Sequence, residues 1–360
     1  MDMPTYVRKD HRNCTPAERD RFLDAVLELK KTPSAKPHPA NSHGTVHGDF
    51  VATHYDAFFS GIAHASPNFL PWHRQFLIEF EIALNRTAVA RGKPYISVPY
   101  WNWIVDRDAT ASPWVPEWLG GNGTGLLGQV QTGRFGVPDS RLPELLSEAS
   151  MTKLRAAGKI RDLPAEESGA IWAELNNKLR DLPAALKEIW LVHQVVDEEP
   201  FLIRDFDRPL GSALPFHHRE TKAEMEARRA QEGEWFRDRG LGLLDVMDTA
   251  TYDVFAARFE SDQHGMPHMA LAGHMGSAGS PNDPAFWFHH SFVDKIWCDW
   301  QAKQRRENPA EAPYLPLIGG NGILGYADTF GPWSTHSAKT LIDTTRIRHP
   351  QAGRISYTYR

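Results

Sequence analysis

Six histidines fall in two groups of three, His54, His64 and His73 early in the chain and His264, His268 and His290 late, each group closing against an aromatic-rich helix start. Imidazole is a neutral ligand of intermediate softness that suits copper, zinc, iron and nickel. Three rings per ion, with no thiolate or carboxylate among them, leave the charge of two cations uncompensated. That favours a low-charge ion such as Cu(I) and a bridging anion between the metals.

The elements that must present these rings can be read around them. In the early group, Pro71 suits a helix start, and Phe76, Leu77, Phe80 and Leu84 repeat with helical spacing. The pattern predicts a helix over 73–91, with His73 in its first turn and His64 on the entering loop. Upstream, Phe50, His54, Ala57 and Phe58 share one stripe of another helix, which turns His54 inward. His47 lies on much the same face and competes for the role, because a lone inward histidine is more often a hydrogen-bonded core residue than a ligand.

In the late group, His264 and His268 form an i, i+4 pair on one helical face, and Pro267 between them is tolerable only near a helix start. The run from Asn282 to Trp297 supplies the third ring. Adjacent helical residues point about 100° apart, so only one of His289 and His290 shares the face of Asp294; His290 is taken as the ligand. Asp294 can accept the outer ring N–H of His290 or pair with a nearby arginine, and Arg74, beside His73, is expected to support the site from outside the ligand set. His11, His38 and His43 sit in charged or Pro- and Gly-rich stretches and read as solvated. His217, His218 and His274 read as surface or supporting residues.

Bulk properties narrow the class. The 360 residues carry a net charge of −5 with mixed signs, which argues against nucleic acid or an anionic membrane as the main partner. Only Cys14 and Cys298 occur, so no disulfide framework is expected. No apolar run approaches the ~20 residues that span a bilayer, and the charged start does not read as a secretory signal; a cytoplasmic location, or export only with a helper protein, is expected. The two histidine groups must meet across one core, so residues 1–360 read as a single domain with an insert of uncertain structure at 140–240. Helical stretches are expected near 16–31, 46–60, 73–91, 165–189, 221–238, 264–273 and 288–305, with little strand. The fold class is mainly α, a four-helix bundle holding the metals, with long irregular loops. The mixed-charge run Arg219–Arg229 reads as a solvated helix face, while the insert around it could wall or lid a substrate entrance.

These residues resemble the tyrosinase family of binuclear copper proteins, which includes tyrosinases, catechol oxidases, o-aminophenol oxidases and hemocyanins. The stretch from His64 through Arg74 to Glu81 is similar to the family's first copper motif, and Asp283-Pro284 through His290 to Asp294 to its second. Pro99-Tyr-Trp-Asn-Trp103, Gly120-Gly121 and Tyr357-Thr-Tyr359 extend the likeness to roughly 5–135 and 245–359. The resemblance implies two copper ions, dioxygen as co-substrate, and oxidation of phenols and o-diphenols to o-quinones. An o-aminophenol oxidase forming quinone imines is the alternative, and a hemocyanin-like carrier a more distant one.

Some members tether the second ligand through a cysteine two residues earlier; here that residue is Ile62, so no crosslink is implied. Asn102 replaces the family's aspartate, and Arg8 is expected to pack on the tyrosines at 357 and 359, where longer relatives continue into a shielding domain. Glu260 is similar in placement to a glutamate thought to hold a water that takes the phenol proton. Gly265 stands where strong monophenolases often carry Asn, which implies weak monophenol hydroxylation. Met275 and Phe292 are candidate pocket walls. The implied partners are a small phenolic or aminophenolic substrate and a copper-loading helper protein.

Overall fold

The computed structural model describes residues 6–41, 44–182, 201–206, 242–307 and 326–360. Strand β1 (Tyr6–Arg8) leads into α1 (Pro16–Lys31), which opens on a reciprocal cap between Thr15 and Glu18, with Pro16 where no backbone donor is needed. Helix α2 (Val46–Phe59) is capped by the Thr45 side chain.

Helix α3 spans Phe69–Leu84, shifted from the expected 73–91. It starts earlier because Pro71 costs nothing within the first turn, where the N–H groups have no intrahelical acceptor, so His73 lies in the second turn. It ends earlier because the Asn85 amide donates to the carbonyls of Glu81 and Ile96, both at 2.7 Å, turning the chain.

Beyond a long looped stretch, α4 (Glu148–Ala157) and α5 (Ala165–Asp181) fall within the region 140–240. They bury Leu142, Met151, Leu154, Ile171, Leu175 and Leu179 with Phe201 in a core of their own. The expected helix over 221–238 and the run Arg219–Arg229 lie outside the described residues, as does the end of the one expected over 165–189. Then come α6 (Leu243–Met247), α7 (Tyr252–Arg258), a π-helical turn (Phe259–His264), α8 (Gly265–Leu271) and the long α9 (Pro284–Glu307). Pro267 falls in the first turn of α8. A short α10 (Ala338–Leu341) precedes β2 (Ile347–His349), β3 (Gly353–Ile355) and β4 (Tyr357–Tyr359). The strands make two small pairs, β1 parallel to β4 and β2 antiparallel to β3. Among the described residues no helix is long and apolar enough to cross a membrane.

Two features set where α3 and α9 lie. The first is aromatic packing: Phe80 stacks on Trp287 with centroids 3.5 Å apart and Phe76 lies against the same ring at 4.9 Å. Each such buried side chain contributes about 1.5–3 kcal/mol. The second is a buried charge cluster behind the helices. Arg8 donates to Glu81 at 2.9 and 2.8 Å and to Asp294 at 2.9 Å; Arg74 donates to Asp294 at 2.5 Å and lies 3.7 Å over Trp297. The hydroxyls of Tyr357 and Tyr359 donate to Asp294 at 2.8 and 2.6 Å. Arg8 also lies 4.0 Å over the Tyr357 ring, in keeping with the packing expected of it.

At its N-terminus α9 is capped by Asp283, whose Oδ1 accepts from Ala285 N at 2.8 Å. The same carboxylate takes two bonds from Arg204, at 2.6 and 2.7 Å. Arg204 is fully buried and also donates to the carbonyls of Leu119, Gly120 and Gly121. Gly120 needs its glycine there, because a Cβ would meet Thr132 O at 2.4 Å and φ is +76°.

Candidate metal centre

The two histidine groups converge between α2, α3, α8 and α9. The ligand atoms of His54, His64 and His73 lie within 4.8 Å of one another, and so do those of His264, His268, His289 and His290. The groups face each other: His73 stacks on His290 with centroids 4.2 Å apart, and His64 lies 5.7 Å from His264.

Ring orientation is set mostly by main chain. Nδ1 of His54 bonds Ala278 O at 2.7 Å, Nδ1 of His73 bonds Phe69 O at 2.8 Å, Nδ1 of His264 bonds Glu260 O at 3.2 Å, and Nδ1 of His268 bonds Met275 O at 2.6 Å. A carbonyl accepts only, so each of these nitrogens carries the proton and each Nε2 keeps a lone pair turned inward. His64 points the same way, with Nδ1 3.2 Å from Glu260 Oε1 and Nε2 3.3 Å from His54 Nε2. The Nε2 atoms of His268 and His290 are likewise 3.3 Å apart.

Buried Nε2 atoms of His73 and His264 have no protein partner. Burial, and after it a neighbouring imidazole, holds the pKa values of His54, His73, His264 and His290 well below the usual range; burial lowers that of His268 to about 4. These five rings are neutral near pH 7. Inward, unprotonated nitrogens in two sets fit a pair of soft or borderline cations.

Other assignments sort by location. His47 is buried away from the rings, with Nδ1 3.5 Å from Lys30 Nζ and its ring against Phe80. The divergence expected of His289 and His290 does not separate them: both reach the late group. His290 alone stacks on His73 across the centre, while His289 lies 4.9 Å from His268 and 5.4 Å from His264. Asp294 and Arg74 pair with each other, so of the two partners open to Asp294 it takes the arginine.

The solvated reading of His11 is corrected. It is buried between Asp10 and Asp106, because Arg12 neutralises both carboxylates at 2.7 and 3.1 Å and so permits a charged stretch to fold inward. His274 is buried as well, its Nδ1 accepting from Ile203 N at 3.1 Å. His38 is partly exposed and 3.0 Å from Asp56; His43, His217 and His218 lie outside the described residues.

A cleft of about 570 Å³ opens onto His64 and His264, bordered by Phe58, Ala65, Ala256, Glu260 and Gly265 among others. Met275 and Phe292 are core residues instead of cleft walls. Met275 serves the centre through its carbonyl, and Phe292 stacks on Tyr100 at 5.5 Å and meets Trp103 edge-on at 5.0 Å. No described residue of 140–182 borders the cleft. Sequence reasoning missed Phe286, whose ring lies 4.2 Å from His290, 5.0 Å from His54 and within 6.3 Å of His73 and His268. Its signal was the four-residue step to His290 on one helical face.

Residues 44–303 match the model of the common central domain of tyrosinase. The chain is 30% identical over 359 residues to a tyrosinase of Streptomyces glaucescens, covering 94% of this chain and 96% of the relative. It is 28% identical over 350 residues to the grixazone synthase of Streptomyces griseus, covering 95% and 98%. In structure it is similar to a polyphenol oxidase variant from Thermothelomyces thermophila, with a TM-score of 0.59 at 19% identity over 99% of this chain and 89% of that one. Two facing sets of imidazoles are what a binuclear copper protein requires, and with the match over most of its length the chain belongs to the tyrosinase family, as a copper-dependent phenol oxidase.

Proposed function

We propose that His54, His64 and His73 hold one copper ion and His264, His268 and His290 the other, and that the protein oxidises o-diphenols to o-quinones efficiently and hydroxylates monophenols slowly. The observation that carries this reading is the common orientation of the rings, Nδ1 outward and Nε2 inward, beside a cleft that a phenol can enter. The copper pair, when bound, supplies a two-electron couple with dioxygen as oxidant. Two diphenols each give up two electrons and two protons for every dioxygen reduced to two waters.

The chain contributes ligand orientation, exclusion of water and a proton acceptor. Phenylalanine rings pack the late and early histidines from below and beside, with Phe69 4.6 Å from His264. Glu260 borders the cleft and is the candidate base for a monophenol, whose pKa near 10 leaves it protonated at neutral pH. Gly265, also at the cleft, brings no side chain to polarise a water there.

That same gap favours a second reading, oxidation of o-aminophenols to o-quinone imines, which does not depend on prior hydroxylation. Steady-state rates on tyrosine, dopamine, 2-aminophenol and 3-amino-4-hydroxybenzoate decide between them. Dopamine is expected to turn over much faster than tyrosine. Tyrosine hydroxylation as fast as dopamine oxidation refutes the diphenolase reading, and a preference for the two aminophenols establishes the second.

A further inference from the structure

His64 differs from the other five rings. His54, His73, His268 and His290 stand on helices and His264 ends a π turn, whereas His64 comes from the irregular link between α2 and α3. Its neighbour Ala65 sits at φ 51°, in the left-handed region that alanine rarely adopts. Residue 62, two before the ring, is Ile62, which can form no covalent bond to it. The ring's outer nitrogen also meets a side chain instead of a main-chain carbonyl: Glu260 Oε1 lies 3.2 Å from His64 Nδ1 and accepts from Ala65 N at 2.8 Å. A second tie to the same link comes from the same helical unit, where the Tyr252 hydroxyl donates to Pro67 O at 2.6 Å.

We propose that Glu260 is a positioning residue for His64, its Oε1 taking the ring N–H and the Ala65 N–H together. The inference rests on the reading of His64 as a copper ligand and is separate from any role of Glu260 as a base. One oxygen receiving two adjacent donors fixes both the loop and the ring, and keeps the proton on Nδ1 so that Nε2 is free to bind metal. The π turn makes this reach available: its widened coil lets the Glu260 carbonyl serve His264 while the side chain crosses to the opposite group.

The test compares copper-loaded wild type with Glu260→Ala, Glu260→Gln, Tyr252→Phe and His64→Ala, reading copper per chain by atomic absorption and the rate of copper loss to excess bicinchoninate. Glu260→Ala is expected to lose one of its two ions about 10–100-fold faster than wild type, the range for removal of a group that orients a ligand. Glu260→Gln loses the base but keeps an oxygen that accepts both N–H groups, so it should hold copper more firmly than the alanine variant. Tyr252→Phe touches no candidate ligand and should shift retention in the same direction by a smaller factor. Glu260→Ala with both ions retained at the wild-type rate overturns the proposal. His64→Ala with two ions still bound overturns the ligand reading beneath it, a distinct failure. Should Glu260→Ala not fold, Glu260→Asp, whose shorter side chain withdraws the oxygen from both N–H groups, takes its place, and wild-type copper retention in that variant overturns the proposal equally.

Discussion

Replacing Asp294 by Asn tests the buried charge cluster that backs α3 and α9. The carboxylate is 3% exposed and accepts four hydrogen bonds: Arg74 on Oδ1, and Arg8, Tyr357 and Tyr359 on Oδ2. Asn is nearly isosteric but offers one acceptor oxygen and one NH2. Whichever way the amide turns, its NH2 faces an arginine N–H, so at least one donor pair is left in contact. Arg8 keeps Glu81 as a counter-charge; Arg74 keeps the Leu341 carbonyl, the Cys298 sulfur and the face of Trp297, none of which carries a compensating charge. Stranding one buried cation in this way costs about 3–5 kcal/mol, a large share of a typical stability of about 5–15 kcal/mol. Urea unfolding of the metal-depleted protein, at an unchanged slope with denaturant, should show that loss. Because Asp294 makes no bond to His290, copper affinity should fall only through the displaced helix, by no more than about 10–100-fold. An Asp294→Asn variant within about 0.5 kcal/mol of wild type would refute the argument that this cluster fixes the two helices.

The same residue gives a pH dependence. Burial alone would raise its pKa, but Arg74 and then Arg8 outweigh burial and hold it below the ordinary carboxyl value. A depressed folded pKa adds stability that is complete above the unfolded value of about 4 and is lost as pH falls through the folded one, so wild type and Asp294→Asn should converge in stability below about pH 4. Removing any of the six proposed ligands, His290 included, should release at least one copper ion by metal analysis, whereas His47→Ala and His289→Ala should retain both; copper loss in His289→Ala with none in His290→Ala would reverse that assignment. Gly265→Asn should raise the ratio of monophenol to diphenol rates, since a Cβ there meets only Glu260 O at 3.5 Å and the amide can fit. Base assistance is typically worth about 10²–10⁴-fold, so even part of it is measurable, and an unchanged ratio would sink the proposed role of the Glu260 and Gly265 pair.

Local periodicity made much of the centre readable. The stripe of Phe50, His54 and Ala57, the i, i+4 step from His264 to His268 and the Asp283-Pro284 helix start each encode an orientation within about one or two turns of the ligand. Contacts between distant segments carried no such signal. Arg8 and Asp294 are 286 residues apart, and nothing near either names the other as its counter-ion. His11 looked solvated because its neighbours are charged; that those charges cancel through Arg12 is a property of three dimensions. The outer acceptors of four rings are main-chain carbonyls, which no residue type advertises. Helix α3 begins ahead of 73 for a simpler reason: Pro71 is compatible with any position of the first turn, so it does not mark which one it occupies.

The described helices of the 140–240 region and the histidines are seated in two separate buried apolar clusters. The insert packs Leu142, Leu154 and Leu175 among themselves, while the histidines sit in the larger cluster with Phe76, Phe286 and Trp287. On the histidine side one buried guanidinium, that of Arg204, grips both the helix cap at Asp283 and the carbonyls of 119–121. A substitution inside α4 or α5 therefore repacks a core that the proposed copper ligands do not share, whereas one at Arg204 disturbs the cap of the helix that carries His290.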